Sequence, residues 1–262
     1  IKFNKTNQTN SISGNFVLSL NYNFYDNSIW AATWKAEGAT ENYGVSCSFN
    51  GGKSWNIFLV DERVRDFAFK YKSNNSYDVF AASSNGILRS SNKGYTWINS
   101  SNIIDENTKT ELKPTLYLSV ETNKLNSSNH EIWVGTNDGL AKTIETDSEF
   151  WNSKWKTFLS SNDSVDEDKS YAFPNPFNPK FDVVRIKYNL SNNAKITLRI
   201  FDFGMNLVRT VVQNANRFPG NNLMEIWDGK DENKNIVPNG VYFYRLDIDE
   251  NKVLFGKIIL LM

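Results

Sequence analysis

The sequence predicts an all-β protein: a partial β-propeller of about three four-stranded blades, followed by an immunoglobulin-like β-sandwich. Three observations carry this expectation. A turn motif recurs at constant spacing in the first part of the chain. From Val184 onward, apolar and polar residues alternate along short runs separated by Asn, Gly and Asp. The composition, 14% aromatic with eight Trp and eleven Tyr, favours short strands joined by polar turns.

The repeat is the firmest element. Ser48-Phe49-Asn50-Gly51-Gly52-Lys53-Ser54-Trp55 matches Ser90-Ser91-Asn92-Lys93-Gly94-Tyr95-Thr96-Trp97, both reading S-x-N-x-G-x-[ST]-W. A glycine, Gly44 or Gly86, stands eleven residues before each Trp. A third, degenerate copy begins at Ile132–Leu140 and ends near Trp155. Around each copy four strands are expected. The first set is Phe16–Leu20, Ser28–Thr33, Gly44–Ser48 and Trp55–Val60. The second is Val64–Phe69, Tyr77–Ala82, Gly86–Ser90 and Trp97–Asn99, and the third Leu116–Glu121, Glu131–Thr136, Leu140–Thr143 and Trp155–Leu159. Four strands in about 40–45 residues is the size of a propeller blade.

Each residue type in the motif has a physical task. Asn50 and Asn92 can bond to amides of their own turn. Gly52 and Gly94 supply a positive φ, the hydroxyls of Ser48, Ser54, Ser90 and Thr96 tie the two strands, and Trp55 and Trp97 pack beside the next strand. The motif resembles the Asp-box of sialidase-type and sortilin-type propellers, which implies a structural hairpin rather than an active site. Three blades do not close a ring, since propellers have about four to eight. Further blades before Ile1, or another chain, are therefore expected to complete it.

Residues 161–170 are polar and acidic and read as a linker. Within it, Asp163-Ser164-Val165 resembles the Asp-[Ser/Thr]-apolar O-glycosylation sequence of Bacteroidetes-type bacteria, which implies modification at Ser164. Residues 171–262 form the expected sandwich. The run Tyr171–Pro179 carries Pro174, Pro176 and Pro179, which exclude a central strand or helix and make a stiff lead-in. Val184, Ile186, Tyr188 and Leu190 then face one side, with Arg185, Lys187 and Asn189 on the polar side. Ile196, Leu198 and Ile200 repeat the pattern, and Leu207–Val212, Leu223–Trp227, Gly240–Asp247 and Leu254–Leu261 add strands.

Four ordered motifs stand out here. They are Pro174-Asn175-Pro176-Phe177-Asn178-Pro179, Ile200–Val211, Trp227–Leu246 (opening on Trp227-Asp228-Gly229 and containing Gly240, Tyr242 and Tyr244), and the terminal Gly256–Met262 with Lys257. Together they resemble two related families: the Ig-like domain of the flagellar hook-capping protein, and the type A C-terminal sorting domain of the type IX secretion system. The second resemblance implies an extracellular or outer-membrane-surface protein of a Gram-negative bacterium of the Bacteroidetes type, with the type IX machinery as partner. The sequence departs from the family pattern at Lys234 or Asn235, where a Gly is usual, and at Tyr171, which stands two residues early.

Other functions find little support. Lys+Arg and Asp+Glu balance at 29 each, which gives no electrostatic reason for a nucleic-acid partner. One cysteine, Cys47, forbids an intrachain disulfide, and one histidine, His130, forbids a two-His metal site. Cys47 reads as a buried apolar residue and His130 as part of a polar loop. Asp228, Asp231, Glu232 and Asn233 lack the regular ligand series of a calcium loop. The repeat region has only Arg63, Arg65 and Arg89, with no arginine triad for sialidase chemistry. No carboxylate pair is singled out. The expectation is a non-catalytic binding or scaffold protein without cofactor or metal. A glycan or surface protein is the ligand considered, with Trp30 and Trp34 beside the Trp34–Asn42 loop as candidate stacking residues. Alternatives are the tail of a larger glycan-degrading enzyme and a self-assembling subunit of an extracellular structure.

Overall fold

The computed structural model describes residues 11–36, 40–100, 102–152, 154–159, 168–249 and 252–262. Among these the protein is all-β, built from small antiparallel sheets and without a helix. No helix among the described residues is long and apolar enough to cross a membrane. The chain divides between Phe158 and Leu159 into two compact units. Ser164 and most of the acidic segment lie outside the described residues.

Unit 1 holds three four-stranded sheets, each with its strands in chain order. The first comprises β1 (Phe16–Asn23), β2 (Ser28–Trp34), β3 (Gly44–Ser48) and β4 (Asn56–Phe58). The second comprises β5 (Val64–Tyr71), β6 (Tyr77–Ser83), β7 (Gly86–Ser90) and β8 (Ile98–Asn99). The third comprises β9 (Tyr117–Lys124), β10 (Asn129–Thr136), β11 (Gly139–Thr146) and β12 (Trp155–Phe158). Polar side chains knit the first strands together. Asp66 on β5 accepts from Ser19 Oγ on β1 (3.3 Å) and from Val120 N on β9 (3.2 Å).

The layers between sheets differ in chemistry. Trp30 sits fully buried between the first two sheets, with Phe58, Phe67, Phe69 and Trp97 around it at 6.1–6.3 Å. This corrects the expectation that Trp30 flanks an open loop: alternation in β2 turns it, with Ala32, toward the second sheet. Between the second and third sheets a buried ionic cluster lies beside an aromatic contact, Phe80 against Trp151 at 5.5 Å. Arg89 pairs with Asp78 (2.6 Å) and Glu145 (2.8 Å), and Lys70 with Glu145 (3.1 Å), all without side-chain exposure.

Unit 2 holds two sheets around one apolar core. One has the order β13 (Tyr171–Phe173), β14 (Val184–Leu190), β17 (Gly220–Trp227). The other runs β16 (Leu207–Arg217), β15 (Ala194–Phe201), β18 (Gly240–Ile248), β19 (Lys252–Leu260). Alternate residues of β14, β15, β18 and β19 meet in the core, as the period-2 pattern dictates. One detail departs from that pattern. Arg185, Lys187 and Asn189, on the polar side of β14, are also buried, and the Lys187 ammonium lies 5.6 Å from the Tyr171 ring centroid. Burial of this polar side is something alternation alone does not reveal.

Candidate functional site

The motif residues of unit 2 come together although they lie far apart in the chain. Asn175 presents its side-chain amide to the edge of β19. Its Nδ2 donates to Lys257 O (2.9 Å), and its Oδ1 accepts from Ile259 N (2.8 Å). Phe177 continues the pairing through its backbone, donating to Ile259 O and accepting from Leu261 N, both at 3.0 Å. The proline-rich lead-in therefore satisfies the open edge of the terminal strand, which would otherwise expose unpaired donors and acceptors. Pro174 and Pro176 are exposed and lack an N–H; Asn175 between them does the bonding. Asn178 O accepts from Phe181 N and Asp182 N, closing the turn that returns the chain to β14.

The ring of Phe177 is buried against Trp227, with centroids 5.7 Å apart, and Tyr242 meets the same indole at 5.3 Å. Trp227 Nε1 donates to Lys230 O (2.9 Å), and Asp228 Oδ1 accepts from Lys230 N (3.2 Å), so the Trp-Asp-Gly turn folds on itself. Gly229 has φ +71°, and a Cβ there would stand 2.6 Å from Pro179 Cβ. Only glycine fits that contact. Gly240 opens β18 opposite Leu260, Tyr242 Oη donates to Pro238 O (2.7 Å), and Tyr244 Oη shares a hydrogen bond with Ser170 Oγ (2.9 Å).

In unit 1 the two repeat turns have the same geometry. Ser48 Oγ accepts from Gly52 N (2.8 Å), and Ser90 Oγ from Gly94 N (2.9 Å). Asn50 Oδ1 accepts from Ser54 N and Asn92 Oδ1 from Thr96 N, both at 2.9 Å. The same amides donate to Ser54 Oγ and Thr96 Oγ1, both at 2.8 Å. Trp55 is buried with Ile12 and Ala31, whereas Trp97 is half-buried and donates from Nε1 to Gly94 O (2.8 Å). Gly94 has φ +90°, and a Cβ there would approach Phe58 to 2.8 Å, so this turn rests against the preceding sheet.

Strand direction separates the two ends of these sheets. The turns after β1, β3, β5 and β7 lie at one end; Lys93 reaches Asp26 (3.4 Å) and Tyr77 Oη donates to Asp26 Oδ2 (2.6 Å) there. At the opposite end, the loops after β2 and β4 bring together Trp34, Tyr43, Arg63 and Arg65. The Arg63 guanidinium lies 4.7 Å from the Tyr43 ring centroid and 6.0 Å from that of Trp34; Arg65 lies 5.4 Å from Trp34. Trp34 Nε1 donates to Val64 O (2.8 Å), which fixes the indole. Burial, and the charge of Arg63, hold Arg65 below the ordinary guanidinium value. Trp34 also borders an open cavity of about 550 Å³ with Asn15, Phe16, Lys35, Ala36 and Glu41. Sequence reading noted Trp34 and both arginines but missed Tyr43 and the grouping, because it spans two loops.

His130 corrects an expectation. It lies in β10 rather than in a loop and is buried, its Nε2 2.6 Å from Asp147 Oδ1. Ser73 donates to the other oxygen of Asp147 through N (2.9 Å) and Oγ (2.5 Å). Burial alone would raise Asp147, but the bonds from Ser73 and His130 outweigh it and leave the carboxyl well below its usual value. Ser73 thus bonds to the carboxylate and not to the imidazole. Cys47 is fully buried, and burial pushes its thiol far above the ordinary value. Among the described residues no group of three or more His, Cys, Asp or Glu side chains is arranged to hold a metal.

No family model and no curated protein matches the chain. Among solved structures, it is similar to PorZ, described as an essential bacterial surface component of the type IX secretion system of Porphyromonas gingivalis. The identity is 18%, with 96% of this chain and 31% of PorZ covered, at a TM-score of 0.34. Dimeric latent PorU from the same organism is 11% identical over 89% of this chain and 26% of PorU, at a TM-score of 0.30. The chain thus spans a third or less of the length of either protein.

Proposed function

We propose that this chain is part of a secreted or surface-attached, non-catalytic binding or scaffold protein, carried outward by residues 171–262 acting as a type A sorting domain. The observation that supports this most is the convergence in unit 2. The Pro174–Pro179 lead-in, the Trp227–Gly229 turn and the terminal strand are separate motifs of the sorting-domain pattern, and here they close one cluster. A set of motifs that depends on itself physically is harder to meet by chance than four short strings. On this reading the partner is the type IX machinery, and the location is the outer surface of a Bacteroidetes-type cell. Unit 2 is then an immunoglobulin-like sandwich.

Unit 1 is read as three blades of an Asp-box propeller, with its ligand-binding role lying away from the repeat turns. The matching bonds in both turns support the blade reading. So do exposed apolar side chains on the outermost sheets, Leu20 and Tyr22 on β1 and Leu140 and Ile144 on β11, which suit packing against further sheets. The non-catalytic reading draws on the same geometry. The lone histidine is committed to Asp147, and Arg89 to Asp78 and Glu145, which leaves neither for substrate.

The test is to fuse residues 171–262 to a periplasmic reporter in a type IX-competent host. Surface exposure or release of the reporter is expected. Retention in the periplasm, as without the fusion, would sink the sorting function.

A further inference from the structure

We infer that the outer face of the four-stranded sheet in unit 2 docks onto an anionic lipid surface, with the turn between β15 and β16 entering the apolar layer. This surface role holds whether or not residues 171–262 act in sorting.

Three features carry it. First, the apolar side chains of this face are contiguous and uncovered. Cross-strand register puts Leu207, Phe201, Phe243 and Lys257 in one row. Arg199, Arg245 and Phe255 form the next row, and Val241 stands opposite Ile259 on the other side. Alternation turns Tyr242, Tyr244, Leu254 and Ile258 the other way, into the core. Phe203, in the turn, brings its ring to Phe243, with centroids 6.3 Å apart. Phe203 is 79% exposed, Phe255 65%, Met205 63% and Leu207 52%. A connected apolar patch marks an interaction surface, as scattered single residues do not.

Second, the face carries an excess of positive charge. Arg199 and Arg245 share one carboxylate, that of Asp247, at 3.0 and 2.8 Å, and Lys257 is exposed beside Phe243. The Arg245 guanidinium also lies 5.8 Å from the Phe255 ring centroid. At the turn's end of the sheet, Asp202, Asp231 and Glu232 line a cavity with Tyr242, on the inner side. Cations among apolar side chains suit anionic headgroups above hydrocarbon. A second copy of the chain fits less well, because its face would bring the same positive excess against this one.

Third, the turn is bonded to itself. Asp202 N donates to Asn206 O and Met205 N to Asp202 O, both at 3.0 Å, and Asn206 N donates to Asp202 Oδ1 (2.8 Å). These backbone groups stay paired when Phe203 and Met205 leave water, which lowers the cost of entering hydrocarbon. Two side chains this exposed, at the tip of a turn, are placed to insert into a fluid layer.

The whole chain is floated with vesicles of phosphatidylcholine alone and of phosphatidylcholine with about one third phosphatidylglycerol. Binding to the anionic vesicles is expected to be about tenfold tighter and to weaken as NaCl rises. F203S/M205S, which changes only exposed side chains, should lose about tenfold in affinity for them. K257Q, at a second exposed position, should lose about fivefold. A polarity-sensitive dye on F203C is site-selective because Cys47 is buried, and its emission should shift to the blue on anionic vesicles. Binding to neither vesicle, equal binding to both, undiminished binding by F203S/M205S or an unshifted dye would overturn the proposal. So would concentration-dependent dimerisation that F203S/M205S abolishes, which would make the face a contact between copies.

Discussion

The two units solve the same problem, joining small antiparallel sheets, with one difference in chemistry. Unit 2 closes on a continuous apolar core from Phe177 to Leu260. Unit 1 joins its second and third sheets through Arg89, Lys70, Asp78 and Glu145, charged groups with no exposed side-chain surface. A paired buried charge adds little net stability over an apolar residue, yet becomes costly once its partner is removed. The ionic layer is therefore the costlier of the two to disturb at a single residue, while the apolar core of unit 2 supplies bulk stability.

The sharpest way to break this contrast is Arg89→Ala. It removes the guanidinium shared by Asp78 and Glu145, leaving them only Lys72 and Lys70 as cationic partners, and should cost about 3 kcal/mol. In calorimetry the transition of unit 1 should move while that of unit 2 stays. Phe177→Ala is the counterpart, removing a buried ring that holds the lead-in to Trp227, at about 3 kcal/mol or more. Here only the unit 2 transition should move. Asn175→Ala removes two hydrogen bonds to the edge of β19 and should cost about 1–2 kcal/mol, with faster amide exchange at Ile259 as the local readout.

The gentlest probe is pH. Asp26, Asp105 and Asp147 in unit 1 all sit below the ordinary carboxylate value, because hydrogen bonds outweigh burial. Their stabilisation is present above the unfolded value near about 4 and is lost as pH falls through the folded values. Thermal scans from pH 6 to pH 3 should therefore lower the unit 1 midpoint more than that of unit 2.

How much of this was legible in the sequence follows from which signals are local. The third strands Gly44–Ser48 and Gly86–Ser90 lie where the sequence placed them, because a glycine and a serine-asparagine turn bracket each one. Strand ends without such punctuation drifted: β16 extends to Arg217, well past Val212. His130 was misplaced because Ser127-Ser128-Asn129 reads as loop, whereas pairing with β9 and β11 is a tertiary decision. The bonding of Asn175 to β19 was invisible for a similar reason, since nothing in the lead-in specifies which edge it will meet. The Arg63–Arg65–Trp34–Tyr43 cluster likewise exists only once two loops are side by side.

The central claim is that residues 171–262 direct the chain outward through a structure completed by its last strand. The most direct measurement expresses the chain in a type IX-competent host, whole and without Gly256–Met262, and follows each by protease accessibility on intact cells. The account predicts that the whole chain reaches the surface and the shortened one stays inside. Equal surface exposure of the two, or retention of both, would contradict it.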